Sequence, residues 1–159
     1  VSYHSPWYAN LTLADDPVTL AGARATADSI GLADRLTTLE GDYREMELPA
    51  STFDMVLMTE LLSLEPVEGQ RQLLARARQA LKPTGELVVA DLFGGQPEGE
   101  LALSILSLEM GLASHDASPC DPHQLQQLLR EAGFEKPRYA HLEAPPYLYG
   151  AMVSRLQAD

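Results

Sequence analysis

Residues 67–93 read VEGQRQLLARARQALKPTGELVVADLF, and this stretch decides the fold class. Between Val67 and Leu81 the apolar residues Leu73, Leu74, Ala77, Ala80 and Leu81 recur at the spacing of one helix face. Lys82-Pro83-Thr84-Gly85 stops that helix and turns the chain. Glu86 to Leu92 then reads as a strand apolar enough for the interior of a sheet. The same alternation extends outward in both directions. Upstream, Phe53 to Met58 is a strand predicted to be buried on both faces, and Arg35 to Glu40 is a strand ending in Gly41-Asp42-Tyr43. Asn10 to Asp15 is the earliest strand, and Asp16-Pro17 after it supplies an N-cap and a proline for the first helical position. Leu20, Ala23, Ala27 and Ile30 continue that helix to Gly31.

Downstream, Gly94-Gly95-Gln96-Pro97 leads into a helix near Glu98 to Leu112. Its Leu101, Ile105, Leu108 and Leu112 share one face, while Leu103, Leu106 and Met110 make its other sides apolar too. Such a helix needs cover on more than one side. Asp121-Pro122 opens a further helix, with Leu125, Leu128, Leu129 and Ala132 inward and Gly133 at its end. Strands around Arg138 to Leu142 and Leu148 to Ser154 flank Ala144-Pro145-Pro146. Repeated β–α units of this length predict an α/β fold with a mainly parallel sheet flanked by helices. One domain over residues 10–159 follows, with residues 1–9 as an N-terminal arm rich in rings: Tyr3, His4, Trp7 and Tyr8.

The composition narrows the function. The chain has 159 residues, with 11 Lys and Arg against 23 Asp and Glu, a net charge of −12. That balance argues against a nucleic-acid groove, which needs clustered cations. No apolar run approaches the roughly 20 residues of a membrane helix, so no membrane partner is expected and a cytoplasmic location is. One cysteine, Cys120, excludes an internal disulfide framework and a cysteine-built zinc site. His115, Cys120 and His123 share a stretch broken by Pro119 and Pro122 that matches no zinc spacing, so no metal is expected.

In an open parallel sheet, ligands gather at the carboxyl ends of the strands. Those ends carry Asp15, Asp42 with Tyr43, Thr59 with Glu60, and Asp91. One acid can accept hydrogen bonds from a ribose diol. A second acid followed by an aromatic can accept from an adenine amino group while the ring stacks on the base. The same residue types also serve as helix caps and turn formers.

Together, LTLADDPVTLAGARATADSIGLADRLTTLEGDYREMELP at 11–49, FDMVLMTELL at 53–62, ARARQALKPTGELVVADLF at 75–93 and LQQLLREAGF at 125–134 resemble the class I S-adenosylmethionine-dependent methyltransferases. The resemblance is closest to the small-molecule O-methyltransferases, and it implies a Rossmann-like fold. It implies that Asp15 holds the cofactor's ribose and that Asp42 and Tyr43 hold its adenine; Thr59, as a strand-end residue, is expected among the cofactor-binding residues too. It also implies an acceptor pocket along the helix of Leu101, Ile105, Leu108 and Met110. Two family features are missing. The glycine-rich first strand should precede Leu11, yet residues 1–9, VSYHSPWYA, contain no glycine. The resemblance places that strand at the centre of the sheet, between those ending at Asp15 and Met58. An empty slot leaves backbone groups unpaired, at roughly 1–3 kcal/mol each. The family's catalytic His falls at Ser63, and its aromatic neighbour at Glu65. Serine is no base at neutral pH, so Glu60 or Glu65 replaces it only if burial raises the carboxyl pKa.

The resemblance thus implies methyl transfer from S-adenosylmethionine to a small molecule, in a truncated or split chain. A cofactor-free relative that rearranges or cyclises a small molecule is the alternative, and a non-catalytic partner protein is another. A homodimer, or a partner chain completing the sheet, is expected in each case.

Overall fold

The computed structural model describes residues 10–93, 100–113, 117–144 and 147–158. The N-terminal arm, the Gly94–Pro97 loop, His115 and Pro145-Pro146 lie outside the described residues. The chain divides into two compact units, one ending at Glu47 and one beginning at Leu48.

In the first unit, β1 (Leu11–Asp15) and β2 (Leu36–Glu40) pair in parallel, in register from Leu11 with Leu36 to Asp15 with Glu40. A parallel pair needs a crossover, and α1 (Pro17–Ser29) supplies it. Asp16 caps α1 as its sequence predicts: Oδ1 accepts from the backbone N–H of Val18 at 2.7 Å and of Thr19 at 3.2 Å. The helix buries Leu20 and Ala27 and closes at Gly31, whose φ of +70° suits a residue without a Cβ.

The second unit holds a four-stranded sheet in the order β3-β4-β6-β5. Its strands are β3 (Phe53–Thr59), β4 (Leu81–Leu92), β5 (Arg138–Ala144) and β6 (Tyr147–Arg155). β3 and β4 are parallel, whereas β6 runs antiparallel to both β4 and β5. The sheet is therefore mixed. Too few residues join β5 to β6 for a crossover, so the two can only form a hairpin.

Lys82–Gly85, predicted as a turn before the strand, lies inside β4. Its register jumps from Phe53 opposite Leu81 to Met55 opposite Glu86, which takes up the extra residues. Lys82 Nζ stands 2.8 Å from both carboxylate oxygens of Asp54 and clamps this irregularity.

α2 (Val67–Ala80) packs on β4 and on α4 (Pro122–Glu131) through Leu73, Leu74, Ala77, Leu125, Leu128 and Leu129, all buried. Each such leucine contributes about 1.5–3 kcal/mol by leaving water. Leu87 and Val89 of β4, Phe134 and Met152 complete this core. The expectation that β3 is buried on both faces is corrected: Met55 and Leu57 are 54% and 59% exposed. Among the described residues β3 pairs only with β4 and stands at the edge of its sheet. β1 likewise pairs only with β2 among the described residues. α3 (Glu100–Ala113) contacts β6. No helix among the described residues is long and apolar enough to cross a membrane.

Candidate functional site

The candidate residues fall into two groups, one in each unit. In the first, the parallel register puts Asp15 beside Glu40 at the carboxyl ends of β1 and β2. The pairing continues one step further, because the Gly41 N–H donates to the Asp15 carbonyl at 3.3 Å. Asp15, Gly41 and Asp42 are thereby brought to one end of one sheet. The Asp15 carboxylate turns back to accept from the Asp16 N–H at 2.8 Å, which fixes its side chain at the strand end.

Asp42 organises the turn that follows. Its carbonyl accepts from the N–H groups of Glu45 and Met46, both at 2.9 Å, and its Oδ1 accepts from the Arg44 N–H at 2.8 Å. Arg44 then folds back. Its Nη1 lies 3.7 Å from Asp42 Oδ2, and its guanidinium carbon sits 4.7 Å from the centre of the Tyr43 ring. Sequence reasoning singled out Asp15, Asp42 and Tyr43 but missed Arg44. A cation directly after an acid-aromatic pair is the signal that could have found it.

In the second unit, Thr59 and Glu60 close β3 next to the end of β4. Thr59 pairs with Ala90, and the Glu60 N–H donates to the Ala90 carbonyl at 2.9 Å. Glu60 has a φ of +50°, a left-handed conformation rare without glycine, and this reverses the chain into the turn of Leu62–Leu64. Thr59 and Glu60 are exposed, whereas Ser63 is buried.

The Ser63 N–H donates to Asp91 Oδ2 at 3.1 Å, and the Ser63 carbonyl accepts from the Ser118 N–H at 2.8 Å. Asp91 is fully buried at the end of β4, and its Oδ1 accepts from the Leu92 N–H at 2.8 Å. The buried thiol of Cys120 is pushed up from its ordinary pKa, first by loss of water and then by the Asp91 carboxyl group beside it. Cys120 is therefore held as a thiol and is no nucleophile.

The structure thus brings Ser63, Asp91 and Cys120 together and leaves Thr59 and Glu60 facing solvent. Glu65 is buried next to this turn, where Gln70 Nε2 donates to its carbonyl at 3.1 Å. On α3, Leu101, Ile105 and Leu108 are exposed and Met110 is half-buried. Leu101, Ile105 and Leu108 make an open apolar face, whereas Met110 lies on the other side of the helix. No cluster of three or more metal-ligating side chains occurs among the described residues.

The O-methyltransferase domain family matches residues 5–135. Among curated proteins, a demethylspheroidene O-methyltransferase of Rhodobacter capsulatus is 25% identical over 126 residues, covering 79% of this chain and 30% of that one. The chain spans about a third of the length of the curated relatives it matches. Among solved structures, PigF with S-adenosylhomocysteine (SAH) superposes with a TM-score of 0.75 at 21% identity, covering 92% of this chain and 43% of that one. A structure described as a pericyclic reaction enzyme gives 0.77 at 18% identity, covering 96% and 37%. Both likenesses show the methyltransferase fold. The family match covers most of the chain. This chain belongs to the O-methyltransferase family.

Proposed function

We propose that the chain is the cofactor-binding part of an S-adenosylmethionine-dependent enzyme that methylates a small molecule, in the cytoplasm. The observation that carries this reading is the strand-end arrangement of the first unit. Asp15 and Asp42-Tyr43 come from adjacent parallel strands and are tied by the bond from Gly41 to Asp15. A carboxylate at one strand end and an acid with an aromatic ring at the next fit a ribose diol and an adenine. In this reading Asp15 accepts from the ribose hydroxyls, Asp42 accepts from the adenine amino group and Tyr43 stacks on the base. The cofactor, when bound, supplies an electrophilic methyl group. The chain's own task is to hold the reactants in line, because alignment provides most of the acceleration in such a transfer.

The acceptor is a small molecule seated along α3, which carries Leu101, Ile105, Leu108 and Met110. Strands β1 and β3, each paired on one side among the described residues, are completed by a further segment, from elsewhere in the protein, from a second copy or from a partner. The experiment is calorimetric titration of SAH into the chain. Micromolar binding, abolished by Asp42→Ala, is expected. Absence of heat would overturn the cofactor reading.

A second reading rests on Ser63. Where the family places a basic imidazole, this chain holds a buried serine pinned through its backbone to Asp91. Glu60, at the end of β3, is exposed and lacks the burial that would make it a base for an acceptor hydroxyl. A cofactor-free rearrangement or cyclisation needs no base, and the fold shared with a pericyclic enzyme is compatible with it. Turnover of a small-molecule substrate with no cofactor present would favour this reading over methyl transfer.

A further inference from the structure

We propose that Arg44 is a built-in competitor for the adenine group: its guanidinium occupies the Tyr43 ring face and Asp42 oxygen that adenosine binding requires, and it is displaced when the ligand enters. This rests on the cofactor reading above and adds to it a residue that sets affinity.

The geometry is local to one turn. Asp42 has two carboxylate oxygens, and Arg44 engages both. Its backbone N–H donates to Oδ1 at 2.8 Å, while its guanidinium faces Oδ2 at 3.7 Å. The same guanidinium lies 4.7 Å from the ring centre of Tyr43. A guanidinium is planar, delocalised and weakly hydrated, so it stacks on an aromatic face much as a purine does while offering N–H groups to a carboxylate. Adenine presents the same pair of features, a flat π face and an exocyclic N–H donor. Arg44 therefore imitates the ligand at both contacts.

The side chains of Arg44 and Asp42 are about half exposed, at 55% and 49%. Water can replace the guanidinium as it leaves, and the pair is open to screening by salt. The backbone bond to Oδ1 does not depend on the guanidinium, so the turn survives displacement. A site built this way holds its ring and acid in a fixed conformation when empty, at the expense of affinity.

The test compares the unaltered chain with Arg44→Ala, Arg44→Lys and Asp42→Ala by calorimetric titration of SAH and of adenosine. Arg44→Ala is expected to bind both ligands about three-fold more tightly, the size of an exposed cation–π contact expressed as a binding ratio. Arg44→Lys, which keeps the charge but loses the planar stack, falls between. Raising the salt concentration is expected to narrow the gap between the unaltered chain and Arg44→Ala.

A second measurement uses no ligand. The Arg44 side-chain δ protons are expected upfield in the NMR spectrum, and they move back in Tyr43→Leu or when SAH is added. If the unaltered chain binds and Asp42→Ala does not, while Arg44→Ala binds equally or more weakly, Arg44 is no competitor and the cofactor reading stands. If neither the unaltered chain nor Arg44→Ala binds, both ideas fall. Unshifted δ protons in the free chain overturn the stacking whatever the titrations give.

Discussion

At the scale of single residues, Asp91 shows how a buried acid can serve structure at a place where chemistry is expected. It interrupts an otherwise apolar strand, and a carboxyl group in such surroundings must find partners. It finds the N–H groups of Ser63 and Leu92, and Cys120 lies beside it. The result fixes the turn after β3 against the end of β4. Asp91→Ala leaves two buried N–H groups without an acceptor and is expected to cost about 2–4 kcal/mol in urea unfolding. Asp91→Asn retains one acceptor oxygen and should cost about half as much. Equal stability of the two variants would mean that these hydrogen bonds do not hold the turn. Asp91 itself was legible in the sequence as a strand-end acid. Its partners Ser63 and Cys120 were not, because they come near it only through the pairing of β3 with β4 and the return of the chain before α4.

At the scale of elements, caps and stripes were the most legible features. Asp16-Pro17 and Asp121-Pro122 open α1 and α4 where the sequence places them, since a cap is decided by the few residues around it. Strand direction was less legible. The run from Leu81 to Leu92 shows a strand, but only the short link from Ala144 to Tyr147 dictates that β5 and β6 form a hairpin on its far side. The exposure of Met55 and Leu57 was also hidden, because an apolar strand reads the same whether or not a neighbour covers it.

The α1 cap carries a pH dependence. The Asp16 carboxyl is held below its ordinary 3.8, first by the hydrogen bond from the Thr19 hydroxyl and then by backbone N–H groups of Thr19 and Val18. A lowered folded-state pKa means that the cap stabilises fully above 3.8 and fades as pH falls through the lowered value. The helical signal of Asp16→Ala is therefore expected to lag the unaltered chain at neutral pH and to converge with it in acid. Circular dichroism followed from pH 7 to pH 2 measures this, and a constant gap down to pH 2 would contradict it.

At the scale of the whole molecule, the two units have unequal means of support. Among its described residues the first has one parallel strand pair and one α-helix, and only Leu20 and Ala27 are buried. Two-stranded sheets are marginal by themselves in water. The second unit has four strands and a core running from Leu62 through Leu74, Leu87 and Leu129 to Phe134 and Met152. Local opening should follow that inequality. Amides of β1 and β2 are expected to exchange with solvent at least a hundred-fold faster than those of Leu87 to Val89 in β4.

The same inequality bears on what completes the sheet. Edge strands with exposed apolar side chains, such as β3 with Met55 and Leu57, invite a pairing segment. Light scattering across a range of concentrations, run with hydrogen-exchange mass spectrometry, joins the two observations. If a second copy supplies the missing pairing, mass doubles as concentration rises, and protection grows in β1 and β3 but not in β4 or β5. If mass doubles with no gain of protection in β1 or β3, the copies meet elsewhere, for which the exposed face of α3 is the next candidate. If β1 and β2 are as well protected as β4 in a chain that stays monomeric, the first unit is already covered, and no outside segment is needed to explain its stability.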